Sequence, residues 1–261
     1  MWAEAMGAVT TAFRVLEEVS QHQPVGVSEL SRSLSLPKST VQRALQSLQD
    51  VGWVEQESDV GRRWVQTTKL VVLASRGGRL GLRDRAMPVM RELSERTDEN
   101  VHLSVRSGMG IAIVEKLESS KAVRPIDPLG IVVPFHASSS GKAILAWSDL
   151  EVVDEVLAHG LASFTKRTIV DGDELRHELK SIRCAGYAVN RGEWNDDVRS
   201  IAAPILDVDG RPRAAISVAA PAHRLPERKI SSIGQMVANA ASRLNLNRGH
   251  VDLEPEANSN T

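Results

Sequence analysis

The chain has 261 residues, 42% of them hydrophobic, 25% charged and 3% aromatic, which suits two small globular domains or one large one with cores of Val, Leu, Ile and Ala. The formal net charge of −1 argues against a protein that binds nucleic acid over its whole surface, although one basic face would suffice. The lack of any run of about 18 apolar residues excludes a membrane-spanning helix, and the single cysteine, Cys184, excludes an internal disulfide or a thiolate zinc cluster.

The chain begins with a predicted amphipathic helix over residues 8–20. Apolar side chains recur there at helical spacing: Val9, Ala12, Phe13, Leu16 and Val19. Charged residues interrupt the segment 1–19, so it lacks the apolar core of a signal peptide. The proline and glycine within 21–26 are expected to break the helix.

Two shorter helices are predicted next. Ser28 is expected to cap the first one, whose apolar side consists of Leu30 and Leu34. The second runs over about 37–51, because Pro37 is tolerated in the first turn of a helix. Its buried stripe is expected to consist of Val41, Leu45 and Leu48. Gly52 is expected to end it.

The opposite face of this third helix carries hydrogen-bonding groups with little negative charge: Lys38, Ser39, Thr40, Gln42, Arg43 and Gln46. Two helices joined by a short turn, the second with a donor-rich face, are typical of a helix-turn-helix. Arg and Gln can make bidentate contacts with guanine and adenine, whereas Ser, Thr and Lys near a helix N-terminus suit phosphates. Taken alone, this face is equally compatible with an ordinary solvated helix.

The residues that follow predict a β-hairpin. Strands are expected over 53–56 and 62–66, with a turn over 57–61 between them. Arg62 and Arg63 lie near the predicted tip, where they can reach phosphates or the minor groove. A hairpin directly after a helix-turn-helix is typical of a wing, so the two segments together favour DNA binding.

Residues 61–85 are strongly basic. They contain seven basic residues and one acidic residue, a formal charge of +6, whereas the segment 249–261 is acidic. The charge is thus segregated along the chain, which indicates more about partners than the net charge does. A helix over 68–82, weakened by Gly77 and Gly78, is interpreted as a linker.

The remainder of the chain mixes helices and strands. Helices are predicted over 84–97, 138–146, 151–159, 173–184 and 225–246. Strands are predicted over 101–106, 111–117, 131–135, 187–190, 200–206 and 213–219. Strands grouped with flanking helices, without strict alternation, predict an α+β fold with an antiparallel sheet.

Several short motifs look catalytic but lack their partners. Residues 139–142 match Ser-x-x-Lys, yet Ser-Asp-Asn and Lys-Thr-Gly motifs are missing. The histidines show no metal-ligand spacing, and Asp196 and Asp197 read as a solvated turn. For Cys184 a half-buried, unreactive thiol in a reducing cytoplasm is expected. We therefore expect no enzyme activity, no metal and no cofactor.

Segments in both halves of the chain, spanning about residues 5–248, resemble the IclR family of transcriptional regulators. In the first half they are 27–30 and 36–43. In the second half they are 134–138, 141–143, 182–188, 201–205 and 214–218. Each segment is short, but their order and spacing together are specific.

The resemblance implies four regions: a winged helix-turn-helix domain at 1–67, a linker helix at 68–83, a GAF-like effector-binding domain at 84–248 and a disordered acidic tail at 249–261. It implies a cytoplasmic homodimer or homotetramer, not attached to a membrane, on palindromic double-stranded operator DNA. The operator would be read by Lys38, Ser39, Thr40, Gln42 and Arg43 and its backbone held by Arg62 and Arg63. Repression of a catabolic operon is the expected outcome.

The resemblance also implies an effector pocket. Its polar positions, carried over by alignment, are Ser139, Ser140, Asn190, Ser200 and Ser217, with Val133 and Val198 as apolar neighbours. Hydroxyls and an amide can donate hydrogen bonds to the carboxylate or carbonyl of a small organic acid or aromatic metabolite. Each serine could equally cap a helix or bond at a strand end.

The chain departs from its relatives around this pocket. Several relatives have an acid at the position of Asn190 and a cysteine at that of Ser200. Gly192, Trp194 and Asp197 replace the usual residues of the following segment, and Trp194 is expected to close the pocket or pack an interface. Two other functions stay open: an enzyme in the second domain, or a regulator whose sensor domain binds a protein.

Overall fold

The computed structural model describes residues 7–57, 62–75 and 80–245. The chain divides into two compact units, residues 1–80 and 81–261; the first has one apolar core and the second has two. The turn at 58–61, the Gly77-Gly78 pair and the acidic tail at 249–261, all interpreted from the sequence, lie outside the described residues.

The first unit is a winged helix-turn-helix, as predicted. Its elements are α1 (Ala8–His22), α2 (Val27–Ser33), α3 (Lys38–Asp50), β1 (Val54–Glu57), β2 (Arg63–Gln66) and α4 (Lys69–Ser75). The two strands pair antiparallel, with Val54 opposite Gln66 and Glu57 opposite Arg63. Val25, between α1 and α2, forms a bridge with Trp64 and so joins the hairpin to the helices.

The core of this unit forms where the apolar stripes of the three helices meet. The predicted stripe of α3 is buried at Val41, Leu45 and Leu48, against Leu16 and Val19 of α1 among others. Val9 and Phe13 of α1 are exposed although they are apolar. Gly52 adopts a φ of +76° two residues after α3 ends, which confirms its predicted part in terminating the helix.

The prediction that Ser28 caps α2 is wrong. The capping position is Gly26, and Ser28 lies within the first turn of the helix. The Glu29 carboxylate accepts a hydrogen bond from the Gly26 N–H at 2.8 Å, so the side chain reaching back from the third helical position satisfies this end.

The second unit is an α+β domain, also as predicted. Its elements are α5 (Leu80–Thr97), β3 (Asn100–Ser107), β4 (Gly110–Leu117), β5 (Val132–Pro134), α6 (Ser139–Leu145), α7 (Leu150–His159), α8 (Gly172–Ala185), β6 (Ala188–Asn190), β7 (Val198–Leu206), β8 (Pro212–Pro221) and α9 (Glu227–Leu244). The six strands form one antiparallel sheet in the order β5-β4-β3-β8-β7-β6. The predicted boundary between a helix over 68–82 and another over 84–97 is wrong, because α5 runs unbroken through residues 82–84.

The sheet separates two apolar cores, because side chains alternate along each strand. On β8, Ala214, Ile216 and Val218 belong to the core that contains α5 and α9. Ala215 belongs to the core on the other face, which contains residues of α6, α7 and α8. The side chain of Ser217 lies on the same face as that of Ala215, so this face carries a polar group near the middle of the sheet.

Cys184 is exposed, so the expectation of a half-buried thiol is wrong. It lies on the solvent side of α8, because Leu175, Leu179 and Ile182 take the buried side of that helix.

None of the helices within the described ranges combines the length and the hydropathy needed to cross a bilayer. Within the same ranges, no three His, Cys, Asp or Glu side chains are grouped closely enough to hold a metal ion.

Candidate functional sites

The first candidate site is the outer face of α3. Lys38, Ser39, Gln42 and Arg43 are exposed there, and Thr40 is half-buried. The helix has no acidic residue in its first turn, so nothing on it repels an anion at that end. Because its opposite side is packed in the core, α3 presents a rigid row of donors of the kind that enters a major groove.

The two hairpin arginines have different surroundings. Arg62 is exposed and adopts a φ of +55° just before β2. Arg63 donates to Glu29 Oε2 and to the Pro24 carbonyl, both at 2.8 Å, and thereby fastens β2 to the start of α2. The Gly26 N–H and, less strongly, Arg63 hold the pKa of the Glu29 carboxyl below its usual value.

The second candidate site is a cavity of about 210 Å³ on the polar part of the sheet, beside the start of α6. It is lined by all seven positions carried over from the family resemblance: Val133, Ser139, Ser140, Asn190, Val198, Ser200 and Ser217. These residues come from β5, α6, β6, β7 and β8, so the antiparallel sheet and the helix packed on it bring them together.

One strand pair, one hydroxyl contact and one helix cap set the geometry of this cavity. Asn190 lies opposite Ser200 in the β6–β7 pair. The hydroxyl oxygens of Ser139 and Ser200 are 2.7 Å apart, which joins the first residue of α6 to β7. Ser138 caps α6 by accepting from the Gly141 N–H at 3.1 Å.

Asn190 has a largely structural set of contacts. Its amide nitrogen donates to the Ala137 carbonyl at 2.6 Å, and its oxygen accepts from the N–H groups of Gly192 and Glu193 at 2.8 and 3.1 Å. Its main effect is to shape the loop that forms one wall of the cavity.

A buried ion cluster supports the same wall. Lys142 of α6 is fully buried, and its ammonium lies 2.8 Å from Glu193 and 3.1 Å from Glu178 of α8. Thr168 donates to the Glu193 carbonyl at 2.6 Å. The loop after β6 is therefore tied to two helices by charge-assisted bonds.

Trp194 also lies in this wall. It is half-buried, it lines the cavity, and its ring centroid is 4.5 Å from that of Phe164. Together with Val133 it also lines a neighbouring cavity of about 280 Å³. Trp194 thus forms a partition between two cavities of the second unit.

The cavity also contains two ionisable residues that were not predicted from the sequence, His102 and Asp127. His102 of β3 is 5% exposed, its Nε2 lies 3.7 Å from Asp127 Oδ2, and within the described residues that nitrogen has no hydrogen-bond partner. Burial lowers the pKa of His102 below its usual value, which favours the neutral imidazole. The pairing of β3 with β8 places His102 opposite Ser217, a neighbourhood that the sequence separation conceals.

Two family descriptions match the chain. "IclR helix-turn-helix domain" matches residues 8–58, and "Bacterial transcriptional regulator IclR C-terminal" matches residues 77–246. Among curated proteins, the HTH-type transcriptional regulator KdgR of Escherichia coli (strain K12) is 30% identical, over 95% of this chain and 95% of its own length. The HTH-type transcriptional repressor AllR of the same organism is 35% identical, over 82% and 80%.

Solved structures are similar as well. An IclR homolog complexed with 4-hydroxybenzoate from Microbacterium hydrocarbonoxydans matches with a TM-score of 0.77 and 29% identity, over 92% of this chain and 98% of that one. The Thermotoga maritima IclR matches with a TM-score of 0.72 and 28% identity, over 90% and 96%.

Proposed function

Because the chain belongs to the IclR family of bacterial transcriptional regulators, we propose that it represses a catabolic operon and is controlled by a small organic acid or aromatic metabolite. Members of this family are DNA-binding regulators and not enzymes. The observation that carries the sensing part is that all seven pocket positions, taken from family alignment, line one cavity of the second unit. The bound 4-hydroxybenzoate named for one relative supports an aromatic acid as the kind of ligand.

In the DNA-binding part, Lys38, Ser39 and Thr40 contact phosphates at the start of α3, and Gln42 and Arg43 read base edges. Arg62 contacts the backbone beside the hairpin. Arg63 is predicted from the sequence to do the same, but we assign it mainly a positioning role, because its Nε and Nη2 already donate to the Pro24 carbonyl and to Glu29. The chain acts in the cytoplasm as a homodimer or homotetramer, and two copies of α3 enter successive major grooves about one helical turn apart.

The recognition helix is tested on operator DNA selected by the full-length protein from a random-sequence pool. Arg43→Ala should weaken binding by about 1–3 kcal/mol and relax the preference at one base pair. Arg228→Ala, an exposed arginine of α9, is the matched control and should bind like the unchanged protein. Equal affinity and equal selectivity of Arg43→Ala would show that α3 does not read the operator as assigned.

Sensing is tested by thermal unfolding of the full chain against a panel of small organic and aromatic acids. A ligand at about 100 times its Kd should stabilise the protein by about 2.7 kcal/mol and should release the selected operator. Conversion of a bound compound, followed by mass spectrometry, would instead favour an enzyme. If no acid of the panel raises the melting temperature, a sensor domain that binds a protein is favoured.

A further inference from the structure

The effector cavity lacks a fixed positive charge, and this constrains how it can hold an acid. Among its described lining residues there is no lysine or arginine, and the ionisable ones are His102 and Asp127. A carboxylate placed there would face a second carboxylate at Asp127. Removing such a charge from water without a partner is strongly unfavourable.

His102 is the group that can remove this conflict. It is almost fully buried, it lines the cavity, and its Nε2 has no hydrogen-bond partner within the described residues. Buried polar atoms are nearly always hydrogen-bonded, so an unpartnered one at a cavity wall points to a ligand atom. The distance of 3.7 Å between His102 Nε2 and Asp127 Oδ2 is longer than a hydrogen bond, so Asp127 does not supply the missing hydrogen-bond partner.

The charged groups around His102 come from neighbouring elements. Lys116 of β4 lies opposite His102 in the strand pair and opposes its protonation. The Lys116 ammonium is 2.7 Å from Glu118, whose carboxylate favours the protonated imidazole and also pairs with Arg124 at 2.8 Å. The residues that line the cavity from α6 and β8 are uncharged: Ser139, Ser140, Ser217 and Ala219.

Resting on the sensing function proposed above, we propose that the cavity takes up a small carboxylate together with one proton. The proton comes from solvent and binds to His102. The resulting imidazolium lies between the ligand carboxylate and Asp127 and neutralises one of the two negative charges. An uncharged ligand of the same shape binds without this proton.

The consequence is a pH-dependent affinity with a definite sign. Uptake of one proton makes the Kd for an acid rise by up to about tenfold per pH unit between the pKa of His102 in the free protein and its higher pKa in the complex. Since burial lowers the pKa of His102 in the free protein, this interval extends below the usual histidine value. Affinity for an amide should stay constant over the same range.

The test uses titration calorimetry on the full chain from about pH 6 to about pH 8. The probes are two acid–amide pairs, 4-hydroxybenzoate with 4-hydroxybenzamide and pyruvate with pyruvamide. Buffers of different ionisation enthalpy report how many protons are taken up. We expect uptake close to one proton for an acid, a Kd that rises with pH, and neither effect for the corresponding amide.

His102→Gln removes the titrating group and nearly preserves size. It should abolish the pH dependence and lower acid affinity at about pH 6 to that of the unchanged protein at about pH 8, with amide binding retained. The matched control is His177→Gln, an exposed histidine of α8, which should keep the full pH dependence. Operator binding and thermal unfolding establish whether each variant is folded. If His102→Gln does not fold, the comparison of acid and amide on the unchanged protein tests the proton uptake instead.

The outcomes separate the two proposals. Acid binding with a pH-independent Kd and no proton uptake overturns the part assigned to His102 and leaves sensing in place. A full pH dependence in folded His102→Gln overturns it too. If no probe binds at any pH while the protein still binds the operator, the proposals of proton-coupled binding and of acid sensing are both rejected.

Discussion

At the scale of single residues, Arg62 and Arg63 are neighbours in the chain that should behave differently on DNA. Arg62 is exposed, whereas Arg63 is held by Glu29 and Pro24. Arg62→Ala should therefore lower operator affinity and reduce the slope of log affinity against log salt concentration by about 1, because one phosphate contact is lost. Binding measured at several salt concentrations gives this slope.

Arg63→Ala is the comparison for that experiment. It should leave the slope unchanged, because Arg63 acts through the fold, and should lower the melting temperature of the first unit modestly, since its ion pair is only partly buried. A reduced slope for Arg63→Ala would reassign it to the DNA contact that the sequence predicts.

Lys142 gives a second prediction at this scale. Lys142→Met leaves Glu193 buried without its cation, so we expect a loss of about 3–5 kcal/mol in the free energy of unfolding. Chemical denaturation followed by circular dichroism measures the loss. Lys180→Met, on the exposed part of α8, is the control and should cost little. An equal, small effect of both changes would mean that the cluster contributes nothing to stability.

The sequence predicted individual residues well where local spacing determines their surroundings. Val41 and Leu45 are buried because helical periodicity alone sets their side of α3. The predictions for Ser28 and Cys184 were wrong for different reasons. The cap of α2 depends on the backbone of Gly26, and the exposure of Cys184 depends on which side of α8 packs in the core. His102 escaped notice because its partners come from distant parts of the chain.

At the scale of elements, α6 packs against the backbone that precedes it so closely that it tolerates only glycine at position 141. A Cβ there would lie 2.3 Å from the Phe135 carbonyl oxygen and 2.5 Å from its Cα. Gly141→Ala should therefore displace α6, with Ser139 and Ser140, and weaken both stability and effector binding, although alanine favours a helix by about 1 kcal/mol. Thermal unfolding and ligand titration measure these losses.

Gly81→Ala in α5 is the control for that substitution. Among the described residues, nothing outside the helix's own backbone comes within 4 Å of a Cβ at this position, so only the helix preference of alanine should remain. The melting temperature should stay the same or rise. Should Gly141→Ala behave in the same way, the packing of α6 would be looser than its contacts indicate.

Most helices and strands could be predicted from hydrophobic periodicity, but the boundary between two successive helices could not. The linker was predicted to end at residue 83, whereas α5 begins at Leu80 and continues through that point, because Gly81 is accommodated inside the helix. The order of strands in the sheet was not predictable either. β3 pairs with β8 across more than a hundred residues, and hydrophobic alternation carries no information about such a partner.

At the scale of the whole molecule, control by an effector requires that DNA and ligand each change the affinity for the other. Thermodynamic linkage makes the two changes equal. If an acid lowers operator affinity by some factor, the operator should lower affinity for that acid by the same factor, measured by calorimetry with and without DNA. Unequal factors at equilibrium would show that a third process, such as a change of oligomeric state, intervenes.

The convergence of the cavity residues is a whole-molecule property that spacing in the sequence does not reveal. Ser139, Asn190 and Ser217 belong to three elements, and only the family resemblance indicated that they share one site. The proposed DNA-reading face differs, because Lys38, Ser39, Thr40, Gln42 and Arg43 all lie on α3, where helical spacing places them on one side without any long-range contact.

The shortness of the two border strands of the sheet has a consequence for aggregation. β5 and β6 contain three residues each, and Pro134 at the end of β5 has no N–H to offer. Unpaired backbone along a long border strand is a template on which other chains add strands, which leads to amyloid-like fibrils. These two edge strands expose few unpaired backbone N–H and C=O groups, so the folded second unit should resist fibril growth under crowding or mild heating.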